Sequence, residues 1–402
     1  MISQVRRRLR LLLKFLKLSL AVIGTGVASG VVGIFCHYLL EFIQVLAFGK
    51  DKGNLLLQFQ SVSAFRRLSV LLVVGVLSSL FWYFLQRRVT LLSISKAKKL
   101  VGKRSPNFLG QSLHALIQVA IVAAGASIGK EGAPRELGAL FGGSLSKGLH
   151  LDISDRQLLI ACGAGAGLAS VYQVPFASAL FVLETLGVSW TLKNIIIIFA
   201  TTYVSAYCAK PIVGGHALYI VDTVTIDSSS FIQAIILALF VTPFAIIFGY
   251  FAKKASSHRI TGKEILWTLP FAFLILGGLS ANLPIFMGNG QVLAQWIFSG
   301  NSSAYLPVIL IIKCLLVCLL LRSGAYGGTL TPSFALGVGT GYLITVLLGN
   351  FGFSHSLSLG MLLGTTLGPP NRNSLGCWFY RYRRSYRIPT YTSKYPIKDD
   401  KQ

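Results

Sequence analysis

Apolar residues run along this chain in long blocks separated by short polar stretches, at 18–48, 68–85, 108–128, 133–146, 156–186, 190–208, 230–251, 265–287, 304–321, 330–348 and 355–368. An upright helix needs about 20 apolar residues to cross a bilayer core. The blocks do not fit that length. The first requires steep tilt, 133–146 and 355–368 are too short to cross, and several are interrupted by Gly or Pro. In hydrocarbon, backbone outside a helix is tolerated only where protein buries it or where it lines a cavity. The pattern therefore predicts an all-α polytopic membrane protein with tilted and broken helices, whose breaks mark a site. The chain divides into a basic N-terminal segment at 1–17, two membrane repeats at 18–210 and 228–368, and a basic non-membrane tail at 369–402.

Composition narrows the reading. Apolar residues make up 53% of the 402 and charged residues 12%, about half the charge of an ordinary soluble domain, near 25%. Too few charges remain to cover a globule, which excludes a soluble enzyme, a disordered chain and a disulfide scaffold. The 37 Lys and Arg against 12 Asp and Glu give a net charge of +25. They fall in short clusters between apolar blocks: Arg6 to Lys17, then Arg66 and Arg67, then Arg87 to Arg104. Retention of positive loops inside the cell produces such clusters, so nucleic-acid binding is excluded and a cytoplasmic N-terminus is predicted. The first apolar block outruns the roughly 7 to 15 residues of a signal core, so no cleaved signal is read there. Six cysteines include no CxxC pair and no histidines at ligand spacing. Cys314 and Cys318 read as small buried hydrophobes. No metal and no cofactor is called for.

Two breaks stand in corresponding places of the halves: Gly125 to Pro134, and Gly324 to Pro332. Glycines let the chain turn and bare its N–H groups, and an early Pro suits a helix start. Each break reads as the N-terminus of a half-helix, the arrangement that points to an ion site near the midplane of a repeat-built transporter. Free N–H donors at the positive end of a helix dipole favour an anion. Within the apolar blocks the carboxylates are Glu41, Glu131, Glu136 and Glu184, while Asp152, Asp155, Asp222, Asp227 and Glu264 read as solvated loop residues. Glu131 sits inside the first break, where a buried carboxylate costs several kcal/mol unless it is functional, paired or protonated. A structural Lys130–Glu131 pair is the competing reading. Gly125 to Lys130 is not a phosphate-binding loop, since that motif needs one more residue between its glycines and a hydroxyl at 131.

At these residues a family resemblance emerges. GASIGKEGAPRELGALFGG resembles the GREGP motif of the chloride channel (CLC) family, with Lys130 in place of Arg and Ala133 in place of Pro. GAYGGTLTPSFALG resembles the GxFxP motif, with Gly328, Leu330 and Pro332 in its positions and Leu for Phe. Val174 to Glu184 is similar to the family's PLAGxLFxxE helix. The resemblance implies an inverted-repeat CLC-like architecture and transport of chloride or a similar anion. Glu131 would be the gating carboxylate, with the backbone amides of Lys130, Glu131 and Gly132 lining an outer chloride site. Gly328, Thr329 and Leu330 would line a central one. Gly129, Ala133, Pro332, Pro175 and Glu184 would hold the motifs in shape. The implied partners are chloride, protons, the lipid bilayer of a bacterial inner membrane and a second copy as homodimer. Proton–chloride exchange stands ahead of a passive voltage-gated channel; a cation-coupled solute transporter and a nonfunctional truncated product are further alternatives.

Three departures qualify what is carried over. The GSGIP motif has no counterpart, Gly102 to Pro106 being no match, so no serine ligand is assigned. Thr185 follows Glu184 where exchangers usually carry a second glutamate. After Gly368 the chain turns into a segment with eight Lys or Arg and no apolar run long enough to cross. It is expected to be C-terminally incomplete, through frameshift or truncation, and none of Tyr380, Tyr382, Tyr386, Tyr391 or Tyr395 is assigned as an inner ligand.

Overall fold

The computed structural model of the chain describes residues 2–49, 55–214, 219, 228–301 and 303–348; the apolar block 355–368 and the basic tail lie outside the described residues. The first helix, α1 (Ile2–Phe48), has 47 residues. At about 1.5 Å per residue it is about 70 Å long, more than twice the thickness of a bilayer core. No Pro interrupts it, and the basic residues Arg6 to Lys17 lie on its first turns. Phe15, Ile23, Val27, Val31, Phe35 and Phe42 repeat at helical spacing on its exposed face, as a lipid-facing stripe does.

The chain then forms α2 (Leu55–Gln60), α3 (Ala64–Arg88), α4 (Ile94–Lys99), α5 (Phe108–Ala123), α6 (Gly132–Gly148) and α7 (Ile153–Tyr172). Next come α8 (Pro175–Glu184) and α9 (Leu192–Val213), then α10 (Ser228–Ser257), α11 (Ile265–Asn282), α12 (Gln291–Phe298), α13 (Leu306–Arg322) and α14 (Leu330–Leu348). Six of these described helices contain spans long and apolar enough to cross a membrane. The block 156–186 is two helices, not one. Gln173 adopts a left-handed conformation, φ 55 and ψ 36, and Pro175 at the first position of α8 keeps the residue before it out of the helical region. The block 265–287 likewise ends at Asn282, ahead of Pro284.

The two halves interlock. α3 lies within the first predicted repeat yet packs along α11 of the second. One apolar core gathers Phe48, Leu71 and Trp82 with Phe273, Phe286 and Leu320. Another, made of Ala21, Leu159, Cys162, Val182 and Ile198, joins α1, α7, α8 and α9. Cys314 and Cys318 are half-buried rather than core.

Two polar readings are corrected here. Arg66 and Arg67 do not lie with the other basic clusters; they stand at the far end of α1. Arg66 donates to Leu46 O and Ala47 O, and the buried Arg67 donates to Phe59 O, Val62 O, Ser280 O and Ala281 O. Both are spent on carbonyls left unpaired at helix ends. Asp155 is not a solvated loop residue. It is 3% exposed in the first turn of α7 and 2.6 Å from Lys193 Nζ, where a carboxylate meets the positive end of the helix. Asp152 does stay exposed and pairs with Lys14, whose ammonium holds its carboxyl below the ordinary aspartate range.

Candidate functional site

The two glycine-rich breaks meet. Gly129 N donates to Gly328 O at 2.8 Å and Gly328 N donates to Gly129 O at 2.9 Å, a two-residue antiparallel bridge between segments 199 positions apart. Neither residue could be larger: a Cβ on Gly129 or on Gly328 would strike the Glu131 carboxylate. The bridge places the starts of α6 and α14 side by side. Each helix has Pro in its third position, Pro134 and Pro332, where the missing N–H belongs to the first turn and has no intrahelical partner in any case.

Glu131 caps α6 without bonding to it. Its side chain, fully buried, crosses to the first turn of α14. Oε1 accepts from Leu330 N at 2.5 Å and from Thr331 N at 3.2 Å. Oε2 accepts from Thr331 Oγ1 at 3.2 Å and from Tyr172 Oη at 3.4 Å. The two hydroxyls stand 3.0 Å apart. A carboxylate is thus bound by the N–H donors and dipole of a helix N-terminus, the arrangement that binds free anions. Hydrogen bonds to a charged group are worth about 1.5–3 kcal/mol each, and four of them offset the burial of this charge.

The other residues singled out in the sequence distribute around this centre. Lys130 makes no ion pair with Glu131 among the described residues; its Nζ lies 5.7 Å from the centre of the Tyr172 ring. Arg135 Nε donates to Glu131 O at 2.8 Å, tightening the first turn of α6. Gly132 and Ala133 are buried beside it. Gly328 spends its N–H on the bridge, so that group is not a free donor for an anion. Thr329 accepts at its carbonyl from Ser333 N and Ser333 Oγ. Pro175 and Glu184 begin and end α8, away from the Glu131 contacts, and Lys98 Nζ donates to Leu186 O just beyond that end at 2.7 Å. Sequence reading missed Tyr172 and Thr331. Thr331 stood inside a quoted motif, but as a side chain rather than an amide; Tyr172 stood on the last turn of α7 with no local signal, because its partner is 159 residues away.

Residues 74–367 match the family described as voltage gated chloride channel, which is well over half of the 402-residue chain. The chain belongs to the chloride channel (CLC) family. Its members are channels and transporters, not enzymes. A voltage-gated ClC-type chloride channel of Citrobacter koseri is 26% identical over 359 residues, covering 86% of this chain and 84% of that protein. One of the same description from Escherichia coli is 26% identical over 361 residues, covering 86% and 83%. A slow cyanobacterial Cl−/H+ antiporter shares the fold with a TM-score of 0.71 at 17% identity, over 92% of this chain and 99% of that one. A CLC-type fluoride/proton antiporter does so with a TM-score of 0.66 at 18% identity, over 88% and 96%. This CLC chain is accordingly an all-α, multi-pass membrane protein. The family match ends at 367, where the apolar pattern also ends; 369–402 lie beyond it.

Proposed function

We propose that the protein moves chloride across a bacterial inner membrane in exchange for protons, with Glu131 as the gate. One observation carries this reading: the carboxylate of Glu131 occupies the first-turn N–H groups of α14. Chloride and a carboxylate are both monovalent acceptors, so one set of donors serves one of them at a time. Protonation removes the charge that holds the side chain there. The neutral carboxyl leaves, and Leu330 N and Thr331 N are freed for chloride. Proton and chloride occupancy are thereby linked at one place, which is what obligatory exchange requires.

The resemblance supports the remaining assignments. The amides of Lys130, Glu131 and Gly132 serve an outer position, and those of Thr329 and Leu330 a central one. The N-terminus is cytoplasmic and two copies form a homodimer, each with its own pathway. Passive conduction is the second reading, favoured by Thr185, which puts an uncharged residue where a second carboxylate follows Glu184 in exchangers. Purified protein in liposomes, with chloride efflux and pH recorded together, separates the two. Exchange is expected to drive protons against the chloride gradient, and Glu131→Ala is expected to abolish that movement and the pH dependence of chloride efflux. Unchanged coupling in Glu131→Ala sinks the gate assignment.

A further inference from the structure

A second carboxylate sits on α6, five residues after Glu131, in a polar nest that chloride binding does not use. Gln111, His114 and Gln118 form one stripe of α5, at spacings of three and four residues. Gln111 and His114 both reach Glu136. Gln111 Nε2 donates to Glu136 Oε2 at 3.1 Å, and the amide is held in that orientation because Leu92 N donates to its Oε1 at 3.1 Å. His114 Nε2 lies 3.6 Å from the same oxygen. Its other nitrogen, Nδ1, accepts from Trp82 Nε1 at 3.1 Å. An indole N–H only donates, so the neutral imidazole carries its proton on Nε2, facing Glu136. Oε2 is taken by the Gln111 amide and faced by the imidazole, so a proton that neutralises Glu136 goes to Oε1.

Glu136 and Gln111 also line a cavity of about 530 Å3, together with Arg104, Lys147, His150 and Arg156. Arg104, Lys147 and His150 are exposed, whereas Gln111 is buried and the Glu136 side chain is 20% exposed. The cavity therefore runs from a basic mouth to a carboxylate at its inner end. Its mouth includes His150, two residues before Asp152, the partner of Lys14, and so lies on the face of the protein where α1 begins. Along α6, Glu136 lies about 7.5 Å from Glu131. Between them comes Gln118, whose Oε1 lies against Gly132 and whose buried Nε2 faces Glu136 without reaching direct hydrogen-bond distance of any described residue. A polar gap with an unpaired donor is where a bridging water is held.

We propose that Glu136 carries protons between this cavity and Glu131, with His114 and Gln111 as positioning residues. This deepens the exchange reading and rests on it. The proton moves from a hydronium in the cavity to Glu136 Oε1, then through water beside Gln118 to the Glu131 carboxylate, and Glu136 returns to its ionised form. His114 does not relay the proton itself, because Trp82 occupies its second nitrogen. Glu136 is partly enclosed by protein on one side and accepts the Gln111 amide on the other; a carrier needs both an environment that favours the neutral form and a donor that favours the ionised one.

The experiment is the same liposome assay on full-length protein. In Glu136→Gln, the ratio of protons moved to chloride moved is expected to fall about tenfold or more, whatever the chloride rate. In His114→Phe the pH at which proton movement is half-maximal is expected to shift. Wild-type coupling that persists in Glu136→Gln overturns the relay alone; a wild type that moves chloride without protons overturns the exchange reading, and the relay with it. If Glu136→Gln passes neither ion, Glu136→Asp decides: a lowered proton-to-chloride ratio supports the relay and an unchanged ratio overturns it.

Discussion

The Glu131 side chain reaches α14 because two glycines leave room for it. That space is its most exposed weakness. Gly328→Ala puts a methyl group against the carboxylate and is expected to expel it from the first turn of α14. Chloride efflux at neutral pH should rise and its pH dependence flatten, as in Glu131→Ala but less completely, when measured in the same liposomes. Gly278→Ala on α11 supplies the control, since nothing lies within 4 Å of the added group and a helical Gly costs about 1 kcal/mol relative to Ala. Glu131 was legible from sequence because a carboxylate in a glycine-rich break of an apolar run is too costly to be idle. Tyr172 was not, because a tyrosine in the middle of an apolar block reads the same whether its hydroxyl meets a partner or not.

Helix ends, more than helix middles, decide how the elements fit. Arg67 is the clearest case. It is 7% exposed and its guanidinium serves four carbonyls from α2, the loop after it and the last turn of α11. Arg67→Met leaves those carbonyls buried and unpaired, at about 3–5 kcal/mol in all. A clear loss of thermal stability in detergent is expected, and Arg67→Lys should restore little, since an ammonium cannot span the fork. In the sequence this residue looked like a topology signal. A basic residue near a helix end has two uses, as a marker of membrane side and as a cap for carbonyls, and the pattern of the chain alone does not distinguish them.

For the molecule as a whole, the charge distribution sets orientation in the membrane. Arg6 to Lys17 and the cavity mouth with Arg104, Lys147 and Arg156 share one face, while Arg66 and Arg67 are consumed at the other. The first face is expected to be cytoplasmic. An impermeant maleimide should label Ser154→Cys only in inside-out vesicles and Ser61→Cys only from the outside, both positions being exposed. The reverse pattern would invert the topology.

Helical class, membrane residence and the two breaks were determined by the chain alone, since a bilayer fixes how long an apolar run must be and what an interruption means. Tertiary structure decided the rest: that the breaks pair through Gly129 and Gly328, that Thr331 and Tyr172 share the Glu131 carboxylate, that α3 leaves its own half to lie on α11, and that Glu136 closes the end of a basic cavity. Each of these is a contact between residues far apart along the chain. Periodicity reports only which face of a helix is apolar, and carries no information about what that face will meet.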